Sequence, residues 1–200
     1  MRQTAAMDFR RYKVRFLGLE KKEQGSYITR YDLSYETADG QLKKYEIISR
    51  NPDIKTFEEL HGERPDAVVL IMHSVDGEKI LLNSEFRMAA GMWVINFPAG
   101  LIDPGEDADT AAARELMEET GLRLISIDDH IGMSYSAVGF SNEMNVCVVG
   151  KCEGDIRLSD SSFEEIHAAW YTREEVRELL KTERFAARTQ AYCYLWSRED

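Results

Sequence analysis

Glu115, Glu118 and Glu119 stand at i, i+3 and i+4, and on a helix that spacing gathers them within an arc of about 100°. Carboxylates so crowded repel one another, and each raises its neighbours' pKa, so the cluster is unfavourable without a cation. Hard oxygen ligands at this density suit Mg²⁺, with Mn²⁺ as a substitute; such ions bind few carboxylates directly and keep several waters. Diphosphate oxygens can replace some of those waters. The metal then offsets transition-state charge and ionises or orients an attacking water. The competing reading of the same residues is a solvated acidic helix face.

The surrounding elements must hold this helix. Asp109 or Thr110 can cap it, and Gly121 can end it in a left-handed conformation. Ala113, Leu116 and Met117 are expected to face the core. Upstream, Tyr27, Thr29, Tyr31, Leu33 and Tyr35 share one parity, as in a strand with one buried face. Asp39-Gly40 signals a hairpin returning over residues 42–48. So small a hairpin must pack on the rest of the chain or on a second subunit. Residues 50–66 are polar and turn-rich. An apolar run over 67–72 fits a buried strand, followed by strands over 79–83 and 92–97. Apolar stretches recur at 125–127 and 145–149. Thr172-Arg173-Glu174-Glu175 is a capping box opening a helix to Leu180, and a last helix is expected over 183–196. Strands alternating with a few helices indicate an α/β or α+β sandwich. Residues 1–60 form an N-terminal β element and 61–200 a second domain.

Composition bounds the partners. The chain has 200 residues, is 44% hydrophobic and 30% charged, and carries a net charge of −11, which describes a globular chain rather than a disordered one. That charge argues against nucleic acid, whose phosphates ask for a basic surface. A small phosphorylated substrate remains open if divalent metal receives the phosphate. No run approaches the roughly 20 apolar residues of a membrane span. Residues 1–10 are charged with no apolar stretch, so they are not read as a signal peptide, and Met7 is an alternative start. Cys147, Cys152 and Cys193 have no disulfide or zinc spacing and read as buried thiols of a cytoplasmic protein. His61, His73, His130 and His167 are scattered, with no metal-ligand spacing.

Residues 100–122 resemble the Nudix box, G-x5-E-x7-R-E-U-x-E-E-x-G-U with U aliphatic. Every specified position matches: Gly100, Glu106, Arg114, Glu115, Leu116, Glu118, Glu119, Gly121 and Leu122. The resemblance implies a loop–helix–loop on an α/β/α sandwich. It implies that Glu115 and Glu119 ligate metal, that Glu118 ligates or assists, and that the Ala99 carbonyl is a further ligand. Glu106 and Arg114 would be mainly structural, the arginine bracing the carboxylates. Gly100 would admit close backbone approach to the metal.

Ser84-Glu85-Phe86-Arg87 and the residues from Phe97 to Asp103 resemble stretches of ADP-ribose and nucleoside-diphosphate-sugar pyrophosphatases. That subfamily implies hydrolysis of the diphosphate bond to a nucleoside monophosphate and a sugar phosphate. It also implies a homodimer through the N-terminal β element. The Gly139–Glu143 segment resembles a loop whose glutamate, here Glu143, is general base or extra metal ligand. Residues 45–50 resemble the segment that holds the adenine. Tyr45 would stack, Glu46 accept from the adenine amine and Arg50 assist, with Tyr27 a second stacking face; the alternative is that both tyrosines pack the hairpin. Glu85 and Arg87 are substrate contacts by the same resemblance, Arg87 forking onto phosphate or ribose, unless it forms a surface ion pair. Trp93 either lines the pocket or packs the core, and Glu164 and Glu165 rank below Glu143. Asn96 stands where the subfamily usually has glutamate, Ser84 where glutamine is common, and Ala137-Val138 where a proline is expected. Rival functions are hydrolysis of a nucleoside triphosphate or dinucleotide, and a silent nucleotide-sensing module.

Overall fold

The computed structural model describes residues 14–157 and 165–199. The expectations for residues 1–10 and for Glu164 lie outside them. The described chain forms two compact units.

The first unit comprises the described residues up to Arg64, together with Tyr135–Met144. Its antiparallel sheet has the order β1 (Arg15–Gln24), β2 (Thr29–Glu36), β3 (Leu42–Ser49). The expected parity holds over part of β2: Thr29, Tyr31 and Leu33 are buried and Tyr35 is half-buried, while Tyr27 lies before the strand and is exposed. Tyr31 and Leu33 share a core with Ile47, Ile54 and Leu60. The Tyr31 hydroxyl donates to the Asn51 carbonyl at 2.9 Å and accepts from the Ile54 amide at 3.2 Å, which ties the turn after β3 to the sheet. Strand β1 adds a third member to the expected hairpin, with register shifts between Phe16 and Gly18 and between Lys21 and Glu23.

The second unit holds a seven-stranded sheet. Its strands are β4 (Ala67–His73), β5 (Lys79–Arg87), β6 (Met92–Asn96), β7 (Ala99–Leu101), β8 (Arg123–Tyr135), β9 (Met144–Glu153) and β10 (Ile166–Thr172). The order is β10-β5-β4-β9-β8, with β6 on β5 and β7 on β4. Strands β4 and β9 run parallel. The unbroken apolar run in β4 arises because both faces of the strand are covered. Val68, Leu70 and Met72 pack with Ala111, Ala112 and Leu116 of α1 (Ala108–Thr120). Val69 and Ile71 pack with Val176 of α2 (Arg173–Thr182) and with Cys193 and Trp196 of α3 (Ala187–Trp196). The unit is therefore a helix–sheet–helix sandwich within an α+β fold. No helix among the described residues is long and apolar enough to cross a membrane.

Three local expectations need correction. The cap of α1 is Asp107, whose side chain accepts from the Thr110 amide at 2.8 Å; Asp109 lies in the first turn. Ala113 and Met117 are exposed, and the core face is Ala111, Ala112, Leu116, Glu119 and Thr120. The last helix begins at Ala187, because residues 184–186 are extended along β6. There the Ile95 amide donates to the Arg184 carbonyl at 2.7 Å, and Ala186 donates back to Ile95 at 3.0 Å. Gly121 does end α1 left-handed, at φ 74°, and the Thr172–Glu175 capping box is present.

Candidate active site

The polar face of α1 is organised by Arg114. Its guanidinium donates to Glu106 at 2.9 and 3.0 Å, to Glu115 at 2.7 Å and to the Leu101 carbonyl at 2.9 Å, and reaches Glu118 at 3.4 Å. Glu106 in turn accepts from the Asp103 amide at 3.1 Å. The arginine thus ties the loop before α1 to the helix by charge-assisted bonds. Its hydrogen bonds hold Glu106 below the usual carboxylate range, and Glu106 foremost holds Arg114 firmly protonated.

The three helix carboxylates occupy different environments. Glu118 is largely exposed, Glu115 mostly covered and Glu119 buried. Burial, then the charge of Glu115, then that of Glu85, raises the Glu119 pKa to about 8. Hydrogen bonds from Asn83 and the Ala99 backbone pull it the other way. Gly100 lies directly against Glu115: a Cβ there would come within 1.9 Å of the carboxyl carbon. This close backbone approach places the β7 main chain, including Ala99, beside the carboxylates.

Among the described residues no three carboxylate, imidazole or thiol groups converge on one point. Arg114 draws Glu115 and Glu118, while Asn83 draws Glu119. The donors still fit a hard divalent ion, because they are all oxygen and Mg²⁺ takes only one or two carboxylates directly and keeps waters elsewhere. Side chains of Glu115, Glu118 and Glu119 with the Ala99 carbonyl would hold it.

Beside Glu119 lies a second polar group on the same sheet. Asn83, fully buried, donates from Nδ2 to Glu119 Oε2 at 2.9 Å, and its Oδ1 has no partner among the described residues. Its cross-strand neighbour Asn96 donates to Glu85 Oε1 at 2.9 Å. Arg87 stands 3.6 Å from Glu85 Oε2, its side chain more than half exposed. Trp93 does not pack the core: it is 40% exposed, and its ring contacts those of Phe86 and His167. Asn83 and Thr189 escaped the sequence reading. The available signals were a lone amide after the apolar Ile80-Leu81-Leu82 and a hydroxyl among the apolar residues of α3.

In the first unit, residues 45–50 and 139–143 meet. The Ile48 amide donates to the Phe140 carbonyl at 2.8 Å and the Tyr45 hydroxyl to the Gly139 carbonyl at 2.5 Å. Arg50 Nε donates to Glu143 Oε2 at 2.5 Å. Glu46 is paired with Arg30 at 2.9 Å. Tyr27 is 82% exposed and precedes β2, so it does not pack the hairpin.

A family model described as the NUDIX domain matches residues 63–193. The chain is 39% identical over 112 residues to an ADP-ribose pyrophosphatase of Saccharomyces cerevisiae, covering 54% of this chain and 46% of that protein. An ADP-ribose pyrophosphatase of Bacillus subtilis is 29% identical over 126 residues, or 62% and 60% of the two chains. An ADP-sugar pyrophosphatase of Mus musculus is 26% identical over 100 residues, or 50% and 44%. The chain thus spans about half the length of the curated relatives it matches. The crystal structure of an ADP compounds hydrolase matches with a TM-score of 0.67 over 91% of each chain at 20% identity, a likeness of fold.

Proposed function

The chain belongs to the Nudix family, and from that premise we propose that it hydrolyses the diphosphate bond of ADP-ribose or a related nucleoside diphosphate sugar. The observation that carries the proposal is the α1 carboxylate face, braced by Arg114 and closed on one side by Gly100. The names of the relatives support the substrate class.

Water attacks one phosphorus, the bridging P–O bond breaks, and a nucleoside monophosphate and a sugar phosphate leave. A divalent cation, Mg²⁺ or Mn²⁺, supplies neutralisation of the phosphate charge and a more acidic water. Glu115, Glu118, Glu119 and the Ala99 carbonyl are assigned to hold it. Glu143, anchored by Arg50, is assigned to accept the proton from water, with Glu118 the rival; separate E143Q and E118Q kinetics distinguish them. Arg87 and Glu85 are assigned to the phosphate or ribose, and Tyr45, Glu46, Arg50 and Tyr27 to the base. A homodimer through the β1–β3 sheet and a cytoplasmic setting, which suits three buried free thiols, complete the proposal.

The test is a panel of nucleoside diphosphate derivatives, triphosphates and dinucleotides with products resolved by chromatography. ADP-ribose or a related sugar should be turned over in Mg²⁺, and Glu119→Gln should lose at least about 100-fold in kcat while staying folded. Full activity in that variant overturns the metal assignment. Preference for triphosphates or dinucleotides reassigns the substrate, and binding without turnover makes the chain a sensor.

A further inference from the structure

Thr189 lies on α3 with 1% of its surface exposed. Its hydroxyl oxygen accepts from the Phe97 amide at 3.2 Å and its proton goes to Asn96 Oδ1 at 2.8 Å. A hydroxyl has a single proton, and a backbone N–H can only donate, so the direction of both bonds is set. The amide of Asn96 is then oriented as well: Oδ1 faces Thr189 and Nδ2 faces Glu85 Oε1 at 2.9 Å. Glu85 is 7% exposed, and its other oxygen stands 3.6 Å from Arg87. The result is a directed chain from the Phe97 amide through Thr189, Asn96 and Glu85 to Arg87.

Packing alone does not call for a hydroxyl at 189. Cys193 and Trp196 of the same helix sit in an apolar core, where valine would have the same shape. The group at Glu85 is also a neutral amide, which fixes one carboxylate oxygen without cancelling the charge that attracts Arg87.

We infer that Thr189 is a positioning residue of the active site: through Asn96 it aims Glu85, and through Glu85 it sets the stance of Arg87 toward the substrate. The inference rests on the reading of Glu85 and Arg87 as substrate contacts given under the proposed function.

The test compares the full chain with Thr189→Val, Thr189→Ser, Arg87→Ala and a double variant that combines Thr189→Val with Arg87→Ala. In Thr189→Val the Asn96 side-chain amide and the Glu85 carboxyl-carbon resonances shift. Its KM for ADP-ribose at saturating Mg²⁺ rises about threefold to tenfold, with kcat within about twofold of the parent. Thr189→Ser restores both readouts. Arg87→Ala raises KM by itself, and the double variant shows no second rise. Unmoved resonances overturn the inference, as does an unchanged KM in Thr189→Val or an additive double variant. A purely structural threonine would lower Tm and leave KM alone. Should Thr189→Val fail to fold, Asn96→Ala at a half-buried position reads the same link, and an unchanged KM there overturns it. If the parent turns over no ADP-ribose, the functional reading fails and the resonances alone decide the relay.

Discussion

A methyl group at position 100 has nowhere to go except into the Glu115 carboxylate, 1.9 Å away. The obstacle is the end of a side chain rather than backbone, so Gly100→Ala should fold. It should displace Glu115 from the β7 main chain and reduce kcat/KM by about 100-fold. Steady-state kinetics with a circular dichroism control would check this, and near-parental activity would show that the contact is incidental. His73 carries a different single-residue effect. Its Nε2 is 3.2 Å from the Tyr192 hydroxyl. Burial first, then the positive charge of Arg173, lowers its pKa below the usual 6.5; Lys151 adds to this, while Asp128 and Glu199 oppose it. Because the fold favours neutral imidazole, the contribution is fully present above pH 6.5 and is lost as pH falls through the folded value. Tm measured against pH should therefore fall more steeply below about pH 6.5 in the parent than in His73→Gln; parallel curves would remove His73 as the cause.

At the scale of elements, the start of α1 is a testable correction. Asp107→Ala should lower the midpoint of urea denaturation clearly, because it leaves the Thr110 amide without its N-cap acceptor. Asp109→Ala removes only an exposed contact to His130 and should lower the midpoint much less. Equal losses would restore Asp109 as the cap. Both aspartates lie within the reach of sequence signals for a cap, and the choice depends on where the chain leaves the Pro104-Gly105 turn, a matter of backbone path. Strand β2 was legible because its period-2 pattern coincides with one buried face. Strand β1 was not, since Glu20, Lys21, Lys22 and Glu23 carry no apolar alternation; they join β2 through its backbone and through the Lys22–Asp32 ion pair. Residues 184–186 fall in the segment expected to be helical and are extended because β6 offers them hydrogen bonds. The carboxylate spacing on α1 was readable from 3.6-residue periodicity. The graded burial of Glu118, Glu115 and Glu119 was not, because it is set by β5 and β7. For the same reason Asn83, Asn96 and Thr189 acquire meaning only once strands and helix α3 are adjacent.

Taken over the whole molecule, anions exceed cations by 11, from 36 acidic and 25 basic residues. Among the described residues around α1, the Arg114 guanidinium is shared by Glu106, Glu115 and Glu118, and Glu119 accepts from the amides of Asn83 and Ala99. Any cation that binds the folded face and not the unfolded chain must stabilise the fold by mass action, by about 2.7 kcal/mol at a hundredfold excess over Kd. For a chain of this size that corresponds to a Tm increase of about 5–10 °C. Adding Mg²⁺ to chelator-treated protein should produce that increase, and Glu119→Gln should lose most of it. A net charge of −11 also responds to ionic strength without any site, so NaCl at matched ionic strength is the necessary comparison. If Mg²⁺ and NaCl raise Tm equally, or if Glu119→Gln responds as the parent does, the stabilisation is general screening and the α1 face does not hold the ion.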